Sequence, residues 1–212
     1  MIDIYHKIAL TFEEESNYSI NEALEYYERC LSVAQMASEK EAEGSICNKI
    51  GTLYFNMGEI GKSIDYQKRY LEIAKEYNND AGRQKQMESY SGLAKAFLKI
   101  EKIEEAQEYL ELFYSIAKEL RMNNAQSEAA LLLANLNSKK KNTSKSLEFY
   151  QLHFDAARTE KPENKSRKLI DKARVTLGIA KSNSNIGNFL KWIEKSNDNM
   201  KPLLDWKSKR EK

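Results

Sequence analysis

One pattern recurs four times along this chain at a nearly constant spacing, and it constrains the fold more than any other feature. The stretch "GTLYFNMGEIGKSIDYQKRYLEIAKEYNND" at 51–80 has counterparts at 91–124 and 129–160 and a looser copy at 11–40. Two series of small residues step through the copies together, at spacings of 40, 43 and 40: Ala23, Ser63, Ala106 and Ser146, and then Ala34, Ala74, Ala117 and Ala157. Shared periodicity of this kind predicts stacked supersecondary units.

Each unit has the pattern of two helices that pack through their small residues. Ile46, Ile50 and Leu53 follow one another at helical spacing, and Gly58 interrupts the pattern before a second apolar series begins. Gly51 lies where another helix must come close. With only 8 Gly and 2 Pro, the chain has few turn formers, so long helices are favoured over short strands. We predict an all-α protein with helices near 2–15, 21–39, 42–57, 61–77, 83–100, 103–122, 125–139, 143–158, 164–185 and 188–196.

Composition excludes several classes of protein. Cys30 and Cys47 have no CxxC spacing, and His6 and His153 lie far apart, so neither a zinc site nor a disulfide framework is predicted. The N-terminus lacks a secretory pattern and no window approaches 18 apolar residues, which favours a cytoplasmic protein without a membrane span. Both cysteines are predicted to be buried, inert thiols.

Charge is unevenly distributed, although the net charge is only +2. Residues 1–60 carry 11 acids and 4 bases, residues 61–136 carry 12 and 11, and residues 137–212 carry 9 and 19. The chain therefore runs from a net −7 through −1 to +10, and this asymmetry indicates oppositely charged partners for its two ends.

Gly51, Tyr54, Gly58 and Ser63 form a pattern that resembles the tetratricopeptide repeat. That resemblance implies a right-handed superhelical solenoid of about five helix pairs with a 40–43-residue period, the last pair degenerate. The repeats would lie near 2–40, 42–80, 84–124, 125–160 and 164–196, followed by a basic tail with a short helix at 197–212. The ending, "IDKARVTLGIAK" and then "LLDWKSKR", resembles the tetratricopeptide repeat protein 29 family, which is associated with inner-arm dynein in ciliary and flagellar axonemes.

The family resemblance also implies a binding surface, because the first helix of each pair lines a concave groove. The groove positions carried over to this chain are Asn48, Thr52, Asn56, Ser91, Lys95, Lys99, Leu131, Asn135 and Lys139. Asparagine amides suit the backbone of an extended peptide, and lysines suit acidic side chains. Beyond the repeats, Leu203 and Trp206 form either an apolar docking anchor or an end cap.

No set of residues predicts catalysis. The run Glu13–Glu15 is typical of a solvated helix end, the "GEIG" segment lacks the context of a phosphate loop, and no Ser/His/Asp or Cys/His set can be assembled. We therefore predict that the chain is not an enzyme and has no cofactor, metal or small-molecule substrate. The "KKK" run at 139–141 fits a solvated turn better than a nucleic-acid site.

Two functions remain open from the sequence. The first is a structural subunit of the axoneme, with inner-arm dynein subunits, tubulin or other docking proteins as partners. The alternative is a regulatory adaptor that binds a peptide or a G-protein-linked partner in its groove. Neither requires a membrane or a nucleic acid.

Overall fold

In the computed structural model, the described residues are 1–14, 19–159, 167–196, 205 and 208, and within them the chain forms nine α-helices and no strand. The helices are α1 (Ile2–Glu14), α2 (Ile20–Met36), α3 (Lys40–Met57), α4 (Ile60–Lys75), α5 (Asp80–Lys99), α6 (Ile103–Glu119), α7 (Asn123–Lys139), α8 (Thr143–Arg158) and α9 (Arg167–Ser196). The prediction of an all-α chain is confirmed. No helix among these residues combines the length and apolarity that a membrane span needs.

The periodic small residues are the points where the helices pack. All eight members of the two series are buried. In the second repeat the Ser63 hydroxyl donates to the Gly51 carbonyl across the α3–α4 contact at 2.8 Å, and in the fourth repeat Ser146 donates to Ala134 at 2.9 Å. A Cβ on Gly51 would lie 3.0 Å from a Gln67 side-chain atom, so Gly51 is a close-contact glycine as predicted.

Five of the interhelical turns share one geometry. Each contains a residue with positive φ: Ser38, Gly58, Glu101, Arg121 or Lys141. The next residue donates its backbone N–H to a carbonyl five positions back, as Glu39 does to Ala34 at 2.9 Å. This is the hydrogen-bond pattern of a helix end with a left-handed residue, a position that glycine usually occupies. Because only one of the five is glycine, the predicted ends of α2 and α6, at 39 and 122, were three residues too late.

The turn between α4 and α5 has a different signal. The Asn79 side chain accepts a hydrogen bond from the Gly82 backbone N–H at 2.8 Å and so caps the start of α5. A capping asparagine satisfies one of the backbone donors that a helix start leaves unpaired. The prediction placed this helix start at 83, three residues late, because it did not use the cap.

The chain divides into two compact units, with the division inside α7. The N-terminal unit, Met1–Ala129, contains α1 to α6, and its core includes Tyr27, Ile50, Leu93 and Leu110. The C-terminal unit, Ala130–Lys212, contains the end of α7 with α8 and α9, and its buried residues include Leu133, Leu136, His153 and Leu177. Apolar burial of this kind is the main source of stability in each unit.

The predicted break between helices at 164–185 and 188–196 was wrong. The structure has one helix there, α9, which runs without interruption from Arg167 to Ser196. Gly187 lies between the two predicted helices, but one glycine inside a helix costs only about 1 kcal/mol relative to alanine, so the helix can continue through it. The predicted short helix in the tail at 197–212 lies outside the described residues, apart from Asp205 and Ser208.

Candidate functional site

A cavity of about 270 Å³ in the N-terminal unit is the principal candidate site. Its walls come from α3, α4 and α5, with contributions from α6 and the first turn and a half of α7. Residues predicted from the sequence to line a groove meet here: Asn48, Thr52, Ser91 and Lys95. We call it the N-terminal cavity; its other lining residues are Gly51, Phe55, Ser63, Gln67, Met87, Glu88, Gly92, Phe113, Ala125 and Glu128.

Gln67 is the most unusual residue of this wall, because it is a polar side chain only 2% exposed. Its Nε2 donates to Asn48 Oδ1 at 3.0 Å, and Asn48 O lies 3.4 Å away. Its Oε1 has no hydrogen-bond partner among the described residues. An unpaired buried carbonyl costs about 1–3 kcal/mol relative to a hydrogen-bonded one. A hydrogen bond from a donor group of a ligand to this oxygen would therefore be stabilising.

Charged side chains of both signs surround the cavity. Lys95 Nζ lies 2.7 Å from Glu128 Oε1, and both side chains are exposed. Glu88 Oε2 accepts a hydrogen bond from the Tyr70 hydroxyl at 2.9 Å. Burial and the nearby Glu88 carboxylate raise the pKa of Tyr70, so its hydroxyl remains a donor at neutral pH. The two carboxylates outnumber the one ammonium, which gives the lining an excess of negative charge.

The remaining predicted site residues lie elsewhere. Asn56 and Lys99 are exposed on α3 and α5 but do not line the cavity. In the C-terminal unit, Asn135 accepts a hydrogen bond from the Tyr150 hydroxyl at 2.7 Å, and Lys139 is the exposed last residue of α7. Leu131, in the same unit, is half-buried.

Leu203 and Trp206, the predicted tail anchor, fall outside the described residues. Their role as a docking anchor or an end cap stays a prediction.

A second cavity, of about 290 Å³, lies within the C-terminal unit between α7, α8 and α9. Its lining has hydroxyls but no charged side chain: Ser138, Thr143, Ser146, Leu147, Tyr150, Thr176, Ile179, Ala180 and Asn183. The lining has no charge and no buried polar atom shown to lack a partner. It therefore indicates the chemistry of a ligand less clearly than the lining of the N-terminal cavity does.

The cysteines and histidines take part in packing. Cys30 and Cys47 are buried free thiols, as predicted. Burial raises the pKa of both, that of Cys47 to about 11, so neither is a thiolate at neutral pH. His6 packs edge-on against the Tyr27 ring with centroids 5.8 Å apart, and His153 is 1% exposed. Within the described part of the chain, no group of His, Cys, Asp or Glu is arranged to hold a metal.

Sequence reasoning missed Gln67, Glu88 and Glu128, and for Gln67 a signal was present. The residue four positions after each small residue of the first series is Tyr27, Gln67, Leu110 or Tyr150. Tyr27 and Leu110 are fully buried. Comparison of the repeats would therefore have singled out Gln67 as an amide at a position otherwise held by an aromatic or aliphatic residue.

Comparison with known proteins identifies the repeat. The sequence model described as "Tetratricopeptide repeat" matches residues 44–77. The chain is also 26% identical over 192 residues to tetratricopeptide repeat protein 29 of Trypanosoma brucei brucei (strain 927/4 GUTat10.1). That match covers 88% of this chain and 38% of the relative, so the chain spans well under half of the relative's length.

Solved structures show the same fold. The apo form of RapI superposes with a TM-score of 0.74 at 16% identity, over 89% of this chain and 65% of that one. The TPR-like repeats of a putative kinesin light chain from Podosopora anserina give 0.65 at 15% identity, over 93% and 97%. These likenesses confirm the predicted tetratricopeptide-type repeat fold; at such identities they show the fold alone.

Proposed function

We propose that this chain, which has the tetratricopeptide-type fold of a protein-interaction scaffold, is a non-enzymatic structural subunit of the ciliary or flagellar axoneme. There it would be associated with inner-arm dynein. The observation that carries the proposal is the similarity to tetratricopeptide repeat protein 29 over 192 residues. It extends far beyond the single repeat matched at 44–77, so it includes positions that the generic repeat pattern does not specify.

The charge distribution supports a docked component with two oppositely charged binding regions. The N-terminal unit carries 23 acidic and 15 basic residues, and the remainder, 130–212, carries 9 and 19. A basic segment suits an acidic surface such as tubulin or an acidic neighbouring subunit, and the acidic unit suits a basic partner. The structure adds the N-terminal cavity, whose amide, hydroxyl and charged side chains offer hydrogen-bonding groups to a protein partner.

Fractionation of ciliated cells tests the proposal. The tagged protein should remain with demembranated axonemes and should be released by high salt together with inner-arm dynein, because salt screens exposed charges over roughly 10 Å at 0.1 M. Extraction with sucrose at matched osmolarity is the control and should leave the protein bound. Recovery only in the membrane-plus-cytosol fraction would overturn the axonemal assignment and favour the regulatory adaptor.

A further inference from the structure

One polar side chain in the wall of the N-terminal cavity, that of Gln67, is held in place by its neighbours. Gln67 is 2% exposed, and its amide is held in one orientation by donation from Nε2 to Asn48 Oδ1 at 3.0 Å. The side-chain carbonyl oxygen of Gln67, Oε1, is left without a partner among the described residues. Since buried polar atoms in native proteins are nearly always paired, this oxygen requires an explanation.

Two glycines from different helices make room for the Gln67 amide. A Cβ on Gly51 of α3 would lie 3.0 Å from Gln67 Nε2, and one on Gly92 of α5 would lie 2.8 Å from Oε1. Both glycines also line the cavity. The amide is thus an integral part of the wall, since any side chain larger than hydrogen at Gly92 would displace it.

The charges around the cavity favour a cation. Glu88 and Glu128 contribute two carboxylates against the single ammonium of Lys95, which is already 2.7 Å from Glu128. The surrounding unit has a net charge of −8. Phe55, Met87 and Phe113 add apolar surface that suits the stem of a long side chain.

We propose that the N-terminal cavity binds an arginine side chain of a protein partner, whose guanidinium donates hydrogen bonds to the Gln67 carbonyl and to the carboxylates of Glu88 and Glu128. A guanidinium has five N–H donors in one plane and no acceptor, so it can serve several acceptors together. This inference rests on the proposed protein-binding function but does not depend on the partner being axonemal.

Three capped tripeptides, Ac-Gly-X-Gly-NH2 with X as arginine, citrulline or glutamate, provide the test. Citrulline has nearly the shape of arginine but no charge. Titration into the ¹⁵N-labelled chain should shift the Gln67 side-chain amide resonances with the arginine peptide, and the other two should leave them unchanged. Equal responses to arginine and citrulline, a preference for glutamate, or no response at Gln67 would each overturn the proposal.

Variants separate this cavity from general attraction to an acidic protein. Glu128→Gln should weaken arginine binding roughly three- to tenfold, and Lys95→Gln should strengthen it, because the competing cation is removed. Glu108→Gln, an exposed change of the same charge outside the lining, is the control and should have little effect. Because Glu128, Lys95 and Glu108 are exposed, these substitutions should leave the core intact. The test therefore needs no variant of the buried Gln67.

The opposite response at Lys95 would also overturn the proposal. If Lys95→Gln weakens arginine binding, or if Glu108→Gln weakens it as much as Glu128→Gln does, the cavity is not the binding site. Axonemal retention is measured separately. A protein that binds the arginine peptide but is not retained in axonemes would refute the axonemal location. A protein that is retained but does not bind the peptide would refute the arginine site alone.

Discussion

Gly82 and Gly61 both lie near the start of a helix, but their surroundings differ. A Cβ on Gly82 would lie 2.2 Å from the backbone oxygen of Tyr77, a contact that no side-chain movement can relieve. A Cβ on Gly61 would have no atom within 4 Å. The first glycine is required by close approach of the backbone, and the second is not.

We predict that Gly82→Ala destabilises the protein by about 1–3 kcal/mol, since the backbone of the α4–α5 turn must shift. Gly61→Ala, the matched control, should leave stability unchanged or raise it by up to about 1 kcal/mol, because alanine favours the helix. Urea denaturation measures both free energies of unfolding. Equal effects of the two substitutions would contradict the geometry of the α5 start.

At the scale of elements, an ion pair between the buried Glu43 carboxylate and the partly exposed Arg69 joins α3 to α4. Glu43 has a side chain only 5% exposed, and its Oε1 accepts from Arg69 Nε at 3.1 Å. Lys40 Nζ lies 3.3 Å from its other oxygen. Burial acts to raise the pKa of Glu43, but the hydrogen bonds from Arg69 and Lys40 outweigh it, and the pKa lies below its ordinary value.

The lowered pKa determines the sign of a pH effect. The folded state holds the Glu43 proton more weakly than the unfolded state does, so the stabilisation is present above the unfolded pKa of about 4.3 and is lost as pH falls through the folded one. Glu43→Gln should cost about 1–3 kcal/mol at pH 7, and this difference should shrink below about pH 4. Urea titrations at pH 7, 5 and 3.5 measure the trend.

Glu72→Gln supplies the control for that series, because Glu72 is an exposed glutamate on α4, the helix that carries Arg69. Its free energy of unfolding should follow the parent at every pH. A Glu43→Gln deficit that stays constant down to pH 3.5 would show that Glu43 contributes through packing rather than through charge.

At the scale of the whole molecule, the basic C-terminal sequence has two separable chemical features. The last twelve residues include five basic side chains and two apolar candidates, Leu203 and Trp206. Charge would act through screened attraction to an acidic surface, and its effect should fall with salt. An apolar anchor would act by burial, which is much less sensitive to moderate salt.

We predict that deletion of 201–212 lowers retention in demembranated axonemes and lowers the salt concentration that releases the protein. Changing the five basic residues to glutamine should reproduce most of the loss at low salt. Leu203→Ala with Trp206→Ala keeps the charge and separates the apolar contribution. Unchanged release of the deletion variant would contradict a docking role for this segment.

The sequence by itself determined the repeat and most of its helices. The series through Ala23 and Ala34 marks packing positions, because a helix places a residue on the same face every three to four positions. The buried face of a helix can therefore be predicted from the spacing of residues within a short stretch of sequence. Predicted groove residues Asn48, Thr52 and Lys95 reached one cavity because they lie on the same face of successive first helices.

Only the tertiary structure decided the chemistry of that cavity. Gly51 and Gly92 meet the Gln67 amide from two different helices, and Lys95 lies beside Glu128, 33 positions further along the chain. Helical periodicity specifies which face a residue occupies, but not which side chain of a stacked neighbour it touches. That depends on the offset and crossing of the helices, which the whole set of packed contacts determines together.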